Sequence, residues 1–105
     1  MKSYTDLEQS HKLAKILPLE SADMCWYIDD NNIPTHTPDN GFYRQDKNHL
    51  PCWSLAALLD ILHDYTLQTN TDGTVFVVCE SGEPIISDSY NSPVDACVQM
   101  ILKLL

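Results

Sequence analysis

Apolar residues recur along this chain with two different periods, and the change of period marks the elements. From His49 to Leu62 the sequence reads HLPCWSLAALLDIL. Leu55, Leu58, Leu59 and Leu62 fall at i, i+3, i+4 and i+7, one face of a helix. Pro51 restricts the entry and Ser54 is a natural cap, so a helix is predicted over Trp53–His63. A second helix is predicted from Asp6 to Leu17. Thr5-Asp6-Leu7-Glu8 has the form of a capping box, Leu7, Leu13, Ala14 and Leu17 are apolar, and Pro18 stops the run. A third helix opens at Ser92-Pro93, with Asp95 completing the cap, and carries Val94, Cys97, Val98, Ile101 and Leu105 as its stripe. Met100, Leu102 and Leu104 lie off that stripe. A helix apolar on more than one side is buried twice or covered by another chain, so this helix is the sequence's pointer to a partner surface or a homodimer.

The remaining apolar runs are short or alternate with period two. Met24–Ile28 (MCWYI) is continuous and reads as a strand buried on both faces. Tyr65–Asn70 alternates, Thr71-Asp72-Gly73 makes a hairpin turn, and Thr74–Glu80 (TVFVVCE) is apolar enough to be central. Ile85–Tyr90 is more polar and suits an edge, where Asp88 discourages further pairing. Between Asp29 and His49 no period holds, and a short edge strand is expected to hide at Gly41–Gln45. The two- to four-residue links between the last three strands require antiparallel pairing. The fold expected is one α+β domain over residues 1–105, in the order α-β-α-β-β-β-α. An antiparallel sheet of three to five strands carries the helices on one face, as two layers.

Composition narrows the function more than it identifies one. The 105 residues carry 15 acidic and 6 basic side chains, a net charge of −9. The basic residues are scattered, which disfavours direct nucleic-acid binding and docking on acidic membranes. Acidity here means solubility first, and second a carboxylate face that mimics nucleic acid and docks on a basic partner. At 44% hydrophobic the chain can build a core without metal or disulfide staples. Its four cysteines, Cys25, Cys52, Cys79 and Cys97, form no C-x-x-C pair and sit in apolar runs, so they read as buried free thiols. The polar start, MKSYTDLEQS, has no export-type apolar region, and no run nears the roughly 18 apolar residues of a membrane span. A cytoplasmic setting is therefore expected.

Candidate chemistry is thin. Cys52 with His49 is the nearest nucleophile–base pair, with Asp60 or Asp64 as orienting group, but a buried Cys beside a surface His explains it as well. His36, Asp39, Asp46 and His49 crowd the irregular stretch without metal-ligand spacing. Asp60 and Asp64 are spaced to share a helix face, as ordinary exposed carboxylates do, and no phosphate-binding glycine loop is present. No catalytic, cofactor or metal residue is assigned. The aromatics Trp26, Tyr27, Phe42, Tyr43 and Trp53 either fill the core or line a groove. The residues nominated for a partner surface are Phe42, Tyr43, Met100, Leu102 and Leu104.

Ser21-Ala22-Asp23-Met24, the run LPCWSLAALLDIL and the final SPVDACVQMILKLL together resemble a family of small uncharacterised proteins from gut anaerobic bacteria and their phages or mobile elements. That resemblance implies a setting and no mechanism. The leading expectation is a non-catalytic binding or protein-interaction module. The alternatives are an acidic nucleic-acid mimic and a small hydrolase or metal enzyme using residues 29–52.

Overall fold

The first helix begins one residue later than its capping box suggests. In the computed structural model, which describes residues 2–40, 47–79, 85–86 and 88–104, α1 spans Leu7–Ala14. Its N-cap is Asp6, whose Oδ1 accepts from Gln9 N at 2.8 Å while Gln9 Oε1 accepts from Asp6 N at 3.1 Å. Thr5 is unavailable as a cap because its hydroxyl is turned inward and fully buried. The helix stops at Ala14, short of Leu17, and a 3-10 turn follows at Leu19–Ser21.

Among the described residues six strands follow the order β1 (Met24–Tyr27), β2 (Asp39–Asn40), β3 (His49–Cys52), then β4 (Tyr65–Thr69), β5 (Val75–Cys79) and β6 (Ile85–Ile86). Helix α2 (Leu55–Ile61) lies between the two sets and α3 (Pro93–Leu104) closes the chain. The architecture is α+β and antiparallel, as the pattern predicts, but the single sheet is replaced by two. One has the order β2-β1-β3 and the other β4-β5-β6. The observed order is α-β-β-β-α-β-β-β-α. The expectation missed β2 and β3 because each is short and takes its shape from pairing with β1 rather than from its own periodicity; the edge strand expected at Gly41–Gln45 lies outside the described residues. Pro51 belongs to β3 rather than to a helix entry. It lies opposite Cys25 in an edge strand, where a missing N–H is tolerated.

Helices do not share one face of one sheet. α1 packs against β3, α3 packs against β5 and α2, and α1 and α3 touch each other. The molecule is elongated, 43 × 27 × 20 Å, with a Cα radius of gyration of 14.2 Å, against about 13 Å for a compact chain of this length. Two small sheets joined through helices give such a shape.

The main core gathers around α3. Val94, Ala96, Cys97, Val98 and Met100 are fully buried, packed with Leu13, Trp53, Leu58 and Val77. Burial of the last helix on more than one side is thus supplied within the chain, and Met100 is withdrawn from the nominated partner surface. Leu102 is half-buried, Leu104 is 42% exposed, and Leu105 lies outside the described residues. The strand at Met24–Tyr27 is likewise not buried on both faces: Cys25 is buried, while Met24, Trp26 and Tyr27 are each half-exposed.

The second half follows its local signals closely. Ser54 caps α2 by accepting from Ala57 N at 3.2 Å. Gly73 takes φ +91° in the β4–β5 turn, and β5 is central with β6 at the edge. At the last cap Asp95 N donates to Ser92 Oγ at 3.4 Å. Among the described residues no helix is long and apolar enough to cross a membrane.

Candidate functional site

The irregular stretch after Met24–Tyr27 is largely a hairpin arm. Asp29 makes the turn, with its Oδ1 accepting from Asn31 N at 2.8 Å and Ile33 N at 3.0 Å, and Asn32 takes φ +60°. Asn commonly tolerates this left-handed region because its side chain is short and polar. Pro34 then bridges Ile28, while Asp39 pairs with Cys25, so the intervening residues bulge out of register. The bulge brings His36 onto Tyr27, ring centroids 4.5 Å apart. On the other side His49, directly across the ladder, meets the same ring at 4.9 Å. Tyr27 therefore stands between two imidazoles.

This arrangement separates the groups that the sequence placed together. His49 and Cys52 are three residues apart in a strand, so they point to opposite faces. Cys52 is fully buried, with its Sγ 3.6 Å from Thr5 Oγ1, and burial pushes its thiol pKa up to about 11. A thiol held protonated at neutral pH is the reverse of an activated nucleophile. Burial raises Cys97 in the same way, also to about 11. Asp64 falls beyond the end of α2, so Asp60 and Asp64 do not share its face. Of the crowded metal-type residues, His36 and His49 flank Tyr27, and Asp46 lies outside the described residues. Among the described residues no three His, Cys, Asp or Glu side chains gather as a ligand set.

On the opposite face of β1 the structure builds a cleft that the sequence did not announce. Residues 3–5 run antiparallel beside residues 53–55. Thr5 N donates to Trp53 O at 2.9 Å, Leu55 N donates to Ser3 O at 3.1 Å, and Tyr4 bridges Ser54. Alternation along this extended segment turns Thr5 inward and Tyr4 outward. Thr5 Oγ1 shares a hydrogen bond with Ser10 Oγ at 2.7 Å and accepts from Trp53 N at 3.1 Å. Tyr4 meets Trp26 edge-on, with centroids 5.8 Å apart and planes at 76°. Trp26 Nε1 donates to Thr5 O at 3.0 Å, which fixes the ring. Lys2, Ser3, Tyr4, Asp6 and Trp26 together line an open cleft of about 330 Å³.

Lys2 lines the cleft. Its Nζ donates to Asp95 Oδ1 at 2.7 Å and to Asp6 Oδ2 at 3.0 Å, and Gln9 Nε2 also donates to Asp95 Oδ1, at 2.7 Å. Partial burial works against the Lys2 ammonium, but the bonds to Asp95 and Asp6 outweigh it and raise its pKa above the ordinary lysine value. Partial burial also opposes the Asp6 carboxylate, and the Gln9 N–H and Lys2 outweigh it, so Asp6 is lowered.

The aromatic nominees divide accordingly. Trp53 is core, fully buried with Nε1 donating to Ser21 Oγ at 3.0 Å. Trp26 lines the cleft and Tyr27 the imidazole face, while Phe42 and Tyr43 lie outside the described residues. Tyr4 was missed because its neighbours are polar and its partner, Trp26, is distant in sequence. Comparison with protein-family models, with curated proteins and with solved structures returns no match.

Proposed function

We propose that this protein is a non-catalytic binding module that engages a partner protein through the Trp26 cleft. One observation carries the reading: Trp26, its Nε1 bonded to Thr5 O, and Tyr4, packed edge-on against it, both line an open surface cleft. Large aromatic side chains fixed in place contribute contact area at low entropic cost, which is why such residues anchor protein interfaces. The buried, protonated Cys52 weighs against the hydrolase alternative. The nucleic-acid-mimic alternative requires carboxylates freed to form one face. Here Asp6 caps α1, Asp23 accepts from Ser54 N at 2.9 Å, Asp29 makes one turn and Asp72 accepts from Thr74 N at 3.0 Å in another. Their spread over separate elements weighs against it.

The setting assigned, a cytoplasmic protein of a bacterial or phage genome, rests on the sequence resemblance and on the free buried thiols Cys25, Cys52 and Cys97. A homodimer through α3 now rests on Leu102 and Leu104 alone. The binding reading is tested by affinity capture from the native host with wild-type protein and the Trp26→Ala and Tyr4→Ala variants, each checked for an unchanged fold by its melting curve. A protein retained by wild type and lost with either folded variant is expected. Identical capture by all three would refute the reading.

A further inference from the structure

One wall of the Trp26 cleft stands on a segment that is fastened unevenly. Lys2, Ser3 and Tyr4 line the cleft from the extended stretch ahead of α1, while Trp26 belongs to β1 and Asp6 caps the helix. Thr5 is the fixed point of that stretch. It is fully buried, its hydroxyl accepts from Trp53 N at 3.1 Å, its N–H donates to Trp53 O and its carbonyl accepts from Trp26 Nε1. Withdrawing Thr5 would strand buried donors, which is costly. Residues 2–4 have less to lose. Ser3 O accepts from Leu55 N at 3.1 Å, Tyr4 lies edge-on against Trp26, and Lys2 reaches Asp95 and Asp6. We propose that residues 2–4 form a hinged wall of the cleft, pivoting at Thr5 and latched shut by Lys2 on Asp95 of α3. The latch has a prepared seat. Gln9 Nε2 donates to the same Asp95 Oδ1 at 2.7 Å, and Gln9 is itself fixed by the cap of α1, so the carboxylate is held independently of Lys2. The Lys2 bond is charge-assisted, yet its partners keep 29% and 33% of their side-chain surface in water, so it is little stronger than a surface ion pair. Opening would withdraw Lys2, Ser3 and Tyr4 from Trp26. The consequence for function rests on the binding reading above: a partner that touches all of these residues binds the closed form, at an affinity scaled by the closed fraction.

The hinge is measurable on the full chain without any partner. Leu55 opens α2, so its N–H has no acceptor within that helix and is protected by Ser3 O. Its exchange with solvent therefore reports opening of the wall. The Thr5 and Trp53 N–H groups report the pivot, and the Leu58 N–H, bonded to Ser54 O, reports α2 itself. Amide exchange is followed by NMR in the 15N-labelled wild type, in Lys2→Met, which keeps an apolar stem and removes the charge, and in Lys2→Arg. Leu55 exchange is expected to speed up about two- to fivefold in Lys2→Met, as loss of a partly exposed ion pair implies, and to match wild type in Lys2→Arg. Thr5, Trp53 and Leu58 are expected to exchange alike in all three. An unmoved Leu55 rate in Lys2→Met would overturn the latch. Thr5 and Trp53 accelerating in step with Leu55 would overturn the pivot, and Leu58 doing so would show that α2 opens instead of the wall. Trp26-dependent capture of a partner, with Leu55 exchange indifferent to Lys2→Met, sinks the hinge and leaves the binding reading standing. The expected Leu55 response with identical capture by wild type and Trp26→Ala does the reverse.

Discussion

Thr5 shows how much one hydroxyl can organise when it is taken out of water. It is fully buried, shares a hydrogen bond with Ser10, accepts from Trp53 N and approaches Cys52. Thr5→Val keeps the shape and strands the Trp53 N–H and the Ser10 hydroxyl, and is expected to cost about 1–3 kcal/mol in urea denaturation, with Thr5→Ser costing less. A Thr5→Val loss below about 0.5 kcal/mol would show that the hub is not needed. Asp6 carries the pH dependence at this scale. Its folded pKa lies below the ordinary value, so its contribution is present above that value and disappears as the pH falls through the folded one. Acidification below about pH 4 is therefore expected to lower the melting temperature of wild type more than that of Asp6→Asn. Little of this was legible beforehand. Thr5 reads as a helix cap when only its neighbours are considered, and its inward turn depends on pairing with residues 53–55.

At the scale of elements, local signals were trustworthy wherever the determining atoms lie within a few residues. Ser54, Ser92-Pro93 and Thr71-Asp72-Gly73 each behave as their sequences require. Gly73 isolates one such signal. It sits at φ +91° with no atom near enough to meet an added Cβ, so Gly73→Ala pays only for backbone conformation, about 1 kcal/mol by denaturation. A neutral substitution there would mean that the turn relaxes. Elements defined by long-range pairing were not legible. β3 holds a proline and β2 has two residues, and each exists because β1 lies beside it. The hairpin arm with His36 and His49 about Tyr27 has the same origin, since a bulge of out-of-register pairing places His36.

For the whole molecule the decisive feature is how α3 is covered. Met100, off the apolar stripe, is fully buried by the chain itself. Met100→Ala is therefore expected to cost about 2–5 kcal/mol in the isolated protein, as a core truncation does. Leu104→Lys, by contrast, is expected to leave both stability and sedimentation mass unchanged, because Leu104 is 42% exposed at the helix end. A wild-type dimer that this change dissociates would support the homodimer reading.

The sequence by itself determined the three helices of the described residues, the β4–β5–β6 meander, the antiparallel α+β class and the acidic character of the chain. Those properties follow from caps, turns, periodicity and composition, which act over a few residues or over the whole chain without regard to shape. Tertiary structure decided that there are two sheets, that Met100 is core, that His49 and Cys52 face apart, and that Tyr4 and Trp26 make a cleft under the Lys2 clamp. Each of these depends on which distant backbones pair, and a period of two or 3.6 records which side of an element is apolar but not what covers it.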